Sequence, residues 1–304
     1  MDANLLGRLK QQGQLPSKIV PISFSTALPF STSLFLKRDD LIHTTISGNK
    51  WRKLIAHIDA APSGTRALQT VGGPYSEHLL AVAHLGAALG LATTGLVRGH
   101  DHKYLSPILA RCMALGMQLQ PITRDAFANL LAEQTEPYLE GNLLHIPLGG
   151  MGQPGVLGCQ AIYTEIAAEM KMPKCIVVAC GSGTTAAGIA KAMAGAADQL
   201  WVICSFRPSE TYKQDWATQH QVPEHQHVHF YYHEAFGRFG QTKPHIAALA
   251  QNFSAETGVI LDPVYEAKML FGLLQLLASG VISPSLPIIM VNSGPNLEAR
   301  ANKS

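Results

Sequence analysis

Short apolar runs alternate with segments of helical period along most of the chain. Six runs have the length and the β-branched character of strands. They are residues 67–71, 93–97, 118–122, 175–179, 200–205 and 287–292. Two segments between them, 76–89 and 155–170, have helical spacing. Because alternating strands and helices build parallel sheets covered by helices, we predict an α/β fold with open, twisted, mostly parallel sheets and active groups at the strand carboxyl ends.

The composition is typical of an enzyme with a large buried core. The chain has 304 residues, of which 47% are hydrophobic and 14% charged, and this length allows two lobes. The formal charge is +2, from 23 basic and 21 acidic residues, with no charged block, so a nucleic-acid partner is not expected. Residues 1–16 include Arg8 and Lys10 and predict neither a secretory segment nor a membrane span. We therefore expect a cytoplasmic protein.

Cysteine and histidine form no recognisable metal-binding pattern. The five cysteines are Cys112, Cys159, Cys175, Cys180 and Cys204. Their odd number and the lack of a CxxC pair predict reduced, mostly buried thiols. His225, His227, His229 and His233 alternate along a run of strand character, but no acidic or cysteine partner is evident at a spacing typical of a metal site. We expect no bound metal.

One lysine follows a Gly-Asn turn in the segment KRDDLIHTTISGNKWRKL, residues 37–54. Lys50 stands directly after this turn, at the predicted start of a helix, where its amine could form a Schiff base with an aldehyde. Arg52 and Lys53 follow it. The alternative is therefore a solvated lysine in a basic patch.

A glycine-rich loop follows the apolar run 175–179 and precedes a helical segment. The loop consists of Gly181, Ser182, Gly183, Thr184 and Thr185. Backbone N–H groups and hydroxyls at a helix N-terminus form an anion site suited to phosphate. A phosphate site and a lysine able to hold a cofactor indicate pyridoxal phosphate. The alternatives are a plain strand-to-helix turn and a nicotinamide-binding loop, but the latter needs an acidic residue after the next strand, where Ser205, Phe206 and Arg207 stand.

Two further segments carry candidate polar groups. Ser76 precedes a helical segment, and it either caps that helix or, with the exposed N–H groups, holds a substrate carboxylate. In LDPVYEAK, residues 261–268, Tyr265 stands beside Glu266 and suggests catalysis. Alternatively, Asp262 and Pro263 cap and start a helix, with Tyr265 packing in its first turn.

Together these segments resemble the family of 1-aminocyclopropane-1-carboxylate deaminases and D-cysteine desulfhydrases, in the tryptophan synthase β-like class of pyridoxal phosphate enzymes. The resemblance covers most of the chain. The motifs that carry it, in the family's order, are KRDDLIHTTISGNKWRKL, GGPYSEHLLAVAHLGAALGL, LGGMGQPGVLGCQAI, ACGSGTTAAG and LDPVYEAKMLFGL. It implies a two-lobed fold and a homodimer. The large, cofactor-binding domain would comprise residues 1–53 and 165–304, and the small α/β domain residues 54–164.

The resemblance also implies roles for individual residues. Lys50 holds the cofactor covalently, residues 181–185 bind its phosphate, and Glu266 faces the pyridine nitrogen, as in the deaminase branch. Ser76 holds the substrate carboxylate, and Tyr265 acts as a nucleophile or acid-base group. Further contacts are implied for Asn49, Glu77 and Ser293 with the cofactor and for Tyr75 and His78 with the substrate.

The implied activity is the pyridoxal phosphate-dependent deamination of a small amino acid. The amine of Lys50 moves a proton at the α carbon or its neighbour, while the cofactor ring stores the electrons. D-Cysteine would yield pyruvate, sulfide and ammonia, and 1-aminocyclopropane-1-carboxylate would yield 2-oxobutanoate and ammonia. β-Elimination from another amino acid and racemisation are also open, because the fold does not fix the chemistry.

The chain departs from the family pattern in three places, and two of them, Glu77 and residues 292–295, favour an alternative function. Glu77 stands where the family has an asparagine that donates to the cofactor's phenolic oxygen, and a carboxylate cannot donate unless protonated. Residues 292–295, Asn-Ser-Gly-Pro, replace His-Thr-Gly-Gly, and residues 236–240 only partly match an aromatic glycine loop. The alternative is a catalytically altered or inactive homologue that binds pyridoxal phosphate and has a binding or regulatory role.

Overall fold

The computed structural model describes residues 2–24, 32–46, 48–99, 105–223 and 227–294. The α-helices in these ranges are α1 (Ala3–Gln12), α2 (Asn49–Asp59), α3 (Glu77–Leu89), α4 (Pro107–Ala114), α5 (Arg124–Glu133), α6 (Gln153–Glu169), α7 (Thr184–Ala192), α8 (Tyr212–His220), α9 (Pro244–Thr257) and α10 (Glu266–Ala278). The strands are β1 (Ile19–Ile22), β2 (Leu34–Lys37), β3 (Ala67–Gly72), β4 (Ala92–Arg98), β5 (Gln118–Ile122), β6 (Tyr138–Glu140), β7 (Leu143–Ile146), β8 (Cys175–Cys180), β9 (Gln199–Cys204), β10 (Val228–Tyr231) and β11 (Ile288–Val291). The six strands and two helices predicted from the sequence are all present, which confirms them.

The chain divides into two compact units. The first contains Lys50–Gly158 together with the residues up to Gln14, and the second contains Leu15–Asn49 together with the residues from Cys159 onward. The predicted domains, 1–53 with 165–304 and 54–164, stay a prediction. The observed units differ from them chiefly at the N-terminus, where α1 packs against α3 of the first unit.

The first unit is built on a five-stranded sheet in the order β5-β4-β3-β7-β6. Strand β3 pairs in parallel with β4 and β7, β4 pairs in parallel with β5, and β6 runs antiparallel to β7. Helix α3 fills the core beside this sheet, and its Leu79, Val82 and Leu85 are all 0% exposed. The sheet is mostly parallel, as predicted.

The second unit is built on a six-stranded sheet in the order β1-β2-β11-β8-β9-β10. All neighbours pair in parallel except β1 and β2. Strand β8, CIVVAC, is buried along its whole length, as expected for a central strand covered on both faces. Because β8 pairs in parallel with both β11 and β9, the segments that follow these three strands lie at one edge of the sheet. We call this the carboxyl edge.

Several other sequence predictions concern membranes, metals and thiols. No helix in the described ranges combines the length and apolar character needed to cross a membrane. Among the side chains that the structure describes, no group of three or more His, Cys, Asp or Glu is placed to hold a metal ion. His225 lies outside the described residues. The five cysteines are free and buried, which confirms the prediction, and burial raises the pKa of Cys175 to about 12.

Candidate active site

Ser76 joins strand β3 to helix α3 in the first unit. Its hydroxyl accepts a hydrogen bond from the backbone N–H of Leu79 at 3.3 Å, so it is the helix N-cap, as one prediction had it. Gly72 leaves room for this side chain, since a Cβ there would lie 2.6 Å from Ser76 Oγ. Tyr75 is 65% exposed, whereas His78 is buried. Capping and carboxylate binding are compatible, because a hydroxyl that accepts one bond can still donate another.

His78 is held in one tautomer beneath the start of α3. The hydroxyl of Thr70 donates to the carbonyl of Ile146 at 2.8 Å, so its oxygen accepts from His78 Nε2, 2.9 Å away. Burial, and then nearby positive charges of which Lys50 is the largest, hold the pKa of His78 well below its usual range. The imidazole is therefore neutral at pH 7.

Lys50 is the second residue of α2 and is partly buried. Ser47, which belongs to the same motif, lies outside the described residues. Arg52 and Lys53 are only 4% and 3% exposed, so the alternative prediction of a solvated basic patch is wrong for these two side chains. Lys53 Nζ donates to the carbonyl of Gly149 at 3.3 Å. Arg52 and Lys53 are buried because α2 packs the side that carries them against the rest of the first unit.

His57, one turn further along α2, makes the stability of the fold dependent on pH. Burial lowers its pKa from 6.5 to about 4, although Nε2 lies 3.3 Å from the carbonyl of Gly150. The unfolded chain therefore binds a proton at this imidazole between these pH values and the folded chain does not. The contribution of the neutral imidazole to the free energy of unfolding is fully present above pH 6.5 and is lost as the pH falls toward 4. We expect the free energy of unfolding in urea to fall by about 3 kcal/mol over this range.

The variant His57→Gln tests this expectation, because glutamine can still donate to Gly150 but does not titrate. Its free energy of unfolding is expected to vary less with pH than that of the native protein. His245→Gln, at an exposed position, is the control. Equal pH dependence in the native protein and in His57→Gln would contradict the role of His57.

The glycine loop of the second unit connects β8 to α7, as predicted. Gly183 is the N-cap residue with a φ of 79°, and no side chain among the described residues caps α7. Ser182 Oγ lies 3.0 Å from Thr184 Oγ1, and Thr184 and Thr185 are buried. Hydroxyls and the N–H groups of the first helical turn thus lie together at the carboxyl edge. Such a set of donors suits an anion.

Asn49 and Ser293 lie beside this loop. Asn49 Nδ2 donates to Thr185 Oγ1 at 3.1 Å, and the backbone N–H of Asn49 donates to the carbonyl of Ser293 at 3.0 Å. Gly48 permits this approach, since it has a φ of 65° and a Cβ there would lie 2.1 Å from the Ser293 oxygen. The turn before Lys50 therefore requires glycine, and it joins the loops after β8 and β11.

Tyr265 and Glu266 stand at the start of α10 at the same edge. A Cβ on Gly181 would lie 3.3 Å from Tyr265 Oη, so the phenol contacts the glycine loop. Glu266 is 1% exposed, and a Cβ on Gly294 would lie 2.8 Å from its Oε2. Burial, followed by the charges of Asp262 and Glu266, raises the pKa of Tyr265. The phenol therefore keeps its proton at neutral pH.

Asp262 does not start the helix that follows it. Its Oδ1 accepts hydrogen bonds from the backbone N–H groups of Val264 and Tyr265, at 2.9 and 2.7 Å, and α10 begins only at Glu266. The alternative prediction that Asp262 and Pro263 start the helix is wrong, because the carboxylate satisfies the preceding turn instead. Phe239, from the partly matching aromatic loop, packs edge-on against Tyr265 with ring centroids 6.0 Å apart.

Sequence analysis missed several side chains that support these groups. In the first unit they are Thr70, Lys53 and His57, and in the second unit Tyr212, Trp216 and His220. Lys53 and His57 share a face of α2 with Lys50 by helical spacing, and the α8 residues recur every fourth position. This spacing could have indicated the helical residues, whereas it gives no signal for Thr70, which lies in β3.

Two buried polar atoms at the carboxyl edge have no hydrogen-bond partner among the described residues. They are Nδ2 of Asn292, which follows β11, and Oγ of Ser205, which follows β9. The two residues are 2% and 0% exposed. A buried polar group left unpaired costs about 1–3 kcal/mol. The glycine loop lies between them, because β8 stands between β11 and β9, and the Glu266 carboxylate lies close to Gly294. This edge therefore fits a polar ligand that carries a phosphate.

Comparison with known proteins identifies the class. A sequence model of the family described as pyridoxal-phosphate dependent enzyme matches residues 11–294. A mitochondrial bifunctional D-cysteine desulfhydrase/1-aminocyclopropane-1-carboxylate deaminase of Arabidopsis thaliana is 30% identical over 81% of this chain and 68% of its own length. A D-cysteine desulfhydrase of Serratia proteamaculans is 26% identical over 86% of this chain and 86% of its own length. The chain belongs to the family of pyridoxal-phosphate dependent enzymes.

A solved structure also resembles this chain over nearly its whole length. A protein described as an ACC deaminase homologue is 25% identical, covers 97% of this chain and 95% of its own, and gives a TM-score of 0.75. The predicted α/β fold class, the pyridoxal phosphate cofactor and the enzyme class are confirmed. The resemblance to the deaminase and desulfhydrase family is confirmed as well.

Proposed function

We propose that this chain deaminates D-cysteine or 1-aminocyclopropane-1-carboxylate. The observation that carries the proposal is the carboxyl edge of the second unit. There the donors of residues 181–185 lie beside the phenol of Tyr265 and a buried carboxylate, Glu266. The Arabidopsis relative, named for both reactions, supports the choice of these two substrates.

Several side chains would hold the cofactor. Lys50 would hold it covalently, residues 181–185 would bind its phosphate, and Glu266 would face its ring nitrogen. Further cofactor contacts are proposed for Asn49, Glu77 and Ser293. When bound, pyridoxal phosphate supplies a ring that stabilises negative charge at the α carbon of an amino acid. A buried carboxylate near the ring nitrogen would favour the protonated ring, which withdraws electrons more strongly.

The remaining residues would bind the substrate and move its protons. The hydroxyl of Ser76 and the N–H groups at the start of α3 would hold the carboxylate, with Tyr75 and His78 beside it. The amine of Lys50 would move a proton at the α carbon or its neighbour. Tyr265 keeps its proton at neutral pH because its pKa is raised, so it would act first as an acid.

The products define the test. With one water molecule, D-cysteine would give pyruvate, sulfide and ammonia, and 1-aminocyclopropane-1-carboxylate would give 2-oxobutanoate and ammonia. We expect the protein loaded with pyridoxal phosphate to form a 2-oxo acid from at least one of these compounds. Chromatography of the hydrazone derivative distinguishes pyruvate from 2-oxobutanoate. Failure to form either oxo acid would contradict the proposed function.

A second candidate is a homologue that binds pyridoxal phosphate without turnover. Glu77 favours it, because a carboxylate occupies the first turn of α3 where the family resemblance implies an amide donor. The variant Glu77→Asn separates the two candidates. A faster reaction in this variant would show that Glu77 limits an active enzyme, whereas a native protein that holds the cofactor and forms no product would support the second candidate.

The predicted homodimer and cytoplasmic location stay proposals. They rest on the family resemblance and on the sequence pattern. Light scattering of the purified protein tests the first of them, and a mass equal to one chain would contradict it.

A further inference from the structure

Helix α8 presents one face to the glycine loop of the second unit. Tyr212, Trp216 and His220 recur every fourth residue and therefore share this face. Trp216 and His220 are 3% and 2% exposed. The oxygen of Tyr212 lies 3.3 Å from Cys180 Sγ, at the last residue of β8. Nothing in the proposed chemistry uses these three side chains, although all of them contact the end of β8 or the loop that follows.

Trp216 and His220 both donate to backbone carbonyls of the loop. Trp216 Nε1 donates to the carbonyl of Gly183 at 3.1 Å. His220 Nε2 lies 3.1 Å from the carbonyl of Ser182, and because a carbonyl only accepts, the imidazole is the donor. Two consecutive carbonyls are thus held toward α8.

Because each peptide unit is planar and trans, a carbonyl that is held in place also fixes the direction of the N–H group in the same unit. The C=O and the N–H of one peptide unit point in opposite directions. With the carbonyls of Ser182 and Gly183 held toward α8, the N–H groups of Gly183 and Thr184 point away from it. A carbonyl that accepts a hydrogen bond also polarises its peptide unit, which strengthens the N–H as a donor. These N–H groups belong to the loop that is proposed to bind phosphate.

The contact between α8 and the loop is close enough to require glycine. A Cβ on Gly183 would lie 2.5 Å from Trp216 Cδ1, and its φ of 79° is one that other residues rarely adopt. The loop therefore rests directly on the indole ring. The Gly183 carbonyl accepts from the backbone N–H of Ala187 at 2.9 Å as well, so the indole and the first turn of α7 hold it together.

We infer that Trp216 and His220 are positioning residues that aim the N–H groups of Gly183 and Thr184 at the cofactor phosphate. They thereby set the preference of this protein for pyridoxal phosphate over pyridoxal, which lacks the phosphate. The inference rests on the proposed role of residues 181–185. Neither side chain needs to touch the cofactor, since each acts through a peptide unit of the loop.

Equilibrium dialysis of the cofactor-free protein against pyridoxal phosphate and against pyridoxal tests the inference. Trp216→Phe keeps an aromatic ring against Gly183 but removes the donor, and His220→Leu removes the other donor. Each variant is expected to bind pyridoxal phosphate about five- to tenfold more weakly, the effect of one hydrogen bond. Binding of pyridoxal is expected to change by less than about twofold. His220→Gln, which keeps a side-chain N–H donor, is expected to restore most of the preference.

Trp201→Phe is the matched control. Its indole N–H donates at 3.4 Å to the side chain of Gln199 on β9, so the phosphate preference should not change. Equal weakening of both ligands in Trp216→Phe and His220→Leu, or no weakening, would overturn the role of α8. A native protein that binds both ligands equally would overturn the phosphate role of residues 181–185 as well. These outcomes distinguish failure of the inference from failure of the proposed function. If Trp216→Phe does not fold, the comparison of His220→Leu with His220→Gln decides.

Discussion

Replacing Lys50 by alanine is expected to lower kcat/KM by about a thousandfold or more. In the proposed function this amine both holds the cofactor and moves the substrate proton, and alanine removes both roles. The fold should survive, because Lys50 is only partly buried. The measurements are the rate of 2-oxo acid formation and borohydride reduction of the loaded protein followed by peptide mapping. The cofactor should be found on Lys50 in the native protein.

Lys50→Arg is the matched control for charge. A guanidinium keeps the positive charge but remains protonated and does not attach to an aldehyde as an amine does. Lys50→Arg should therefore be as inactive as Lys50→Ala. Attachment of the cofactor to another lysine, or substantial turnover in Lys50→Ala, would contradict the assignment of Lys50.

Replacing Tyr265 by phenylalanine is expected to lower kcat by about a hundredfold, the usual range for loss of an acid-base group. The ring still fills the space beside Gly181, so affinity for the cofactor should change little. The raised pKa of Tyr265 means that the native phenol is protonated over the ordinary assay range. The measurements are kcat, KM and the dissociation constant of pyridoxal phosphate.

Tyr231→Phe provides the comparison for this prediction. Tyr231 lies in β10 of the same unit, and burial raises its pKa as well, but it has no proposed role. This variant should keep native kinetics. A Tyr265→Phe protein with unchanged kcat would exclude Tyr265 as the acid, while a parallel loss of cofactor affinity would indicate a packing role.

The central strands could be predicted from the sequence because their burial appears as continuous apolar runs, as in β8. The strands that were missed are short or interrupted. Strand β1 contains Pro21, which is tolerated at a sheet edge, and all three residues of β6 are exposed. Strand β2 ends in Lys37, which is fully buried and donates to the carbonyl of Ser17 at 2.7 Å. No local pattern predicts a buried lysine.

In the candidate site, too, the features set by neighbouring residues could be predicted, and those set by distant contacts could not. The cap at Ser76 and the loop before α7 follow from turn and helix-start chemistry that neighbouring residues determine. Other contacts are hydrogen bonds to backbone carbonyls that are distant in the sequence. The carbonyl lies 33 positions from Trp216, 38 from His220 and 93 from His57. Helical spacing shows which residues share a face, but the sequence does not show what that face contacts.

Strand β11 is the last strand of the second unit in the sequence, but in the sheet it lies between two much earlier strands, β2 and β8. It pairs with β2 on one side and β8 on the other, and about 250 residues separate it from β2. At roughly 5–20 residues per second, synthesis of that interval takes on the order of ten to fifty seconds. During this interval β2 keeps an unpaired edge, and β8 keeps one from its own synthesis until β11 is made. Such an edge is the kind of surface that recruits strands from other chains. To avoid pairing with other chains, these edges must be covered by other parts of the growing chain or by a chaperone until β11 is made.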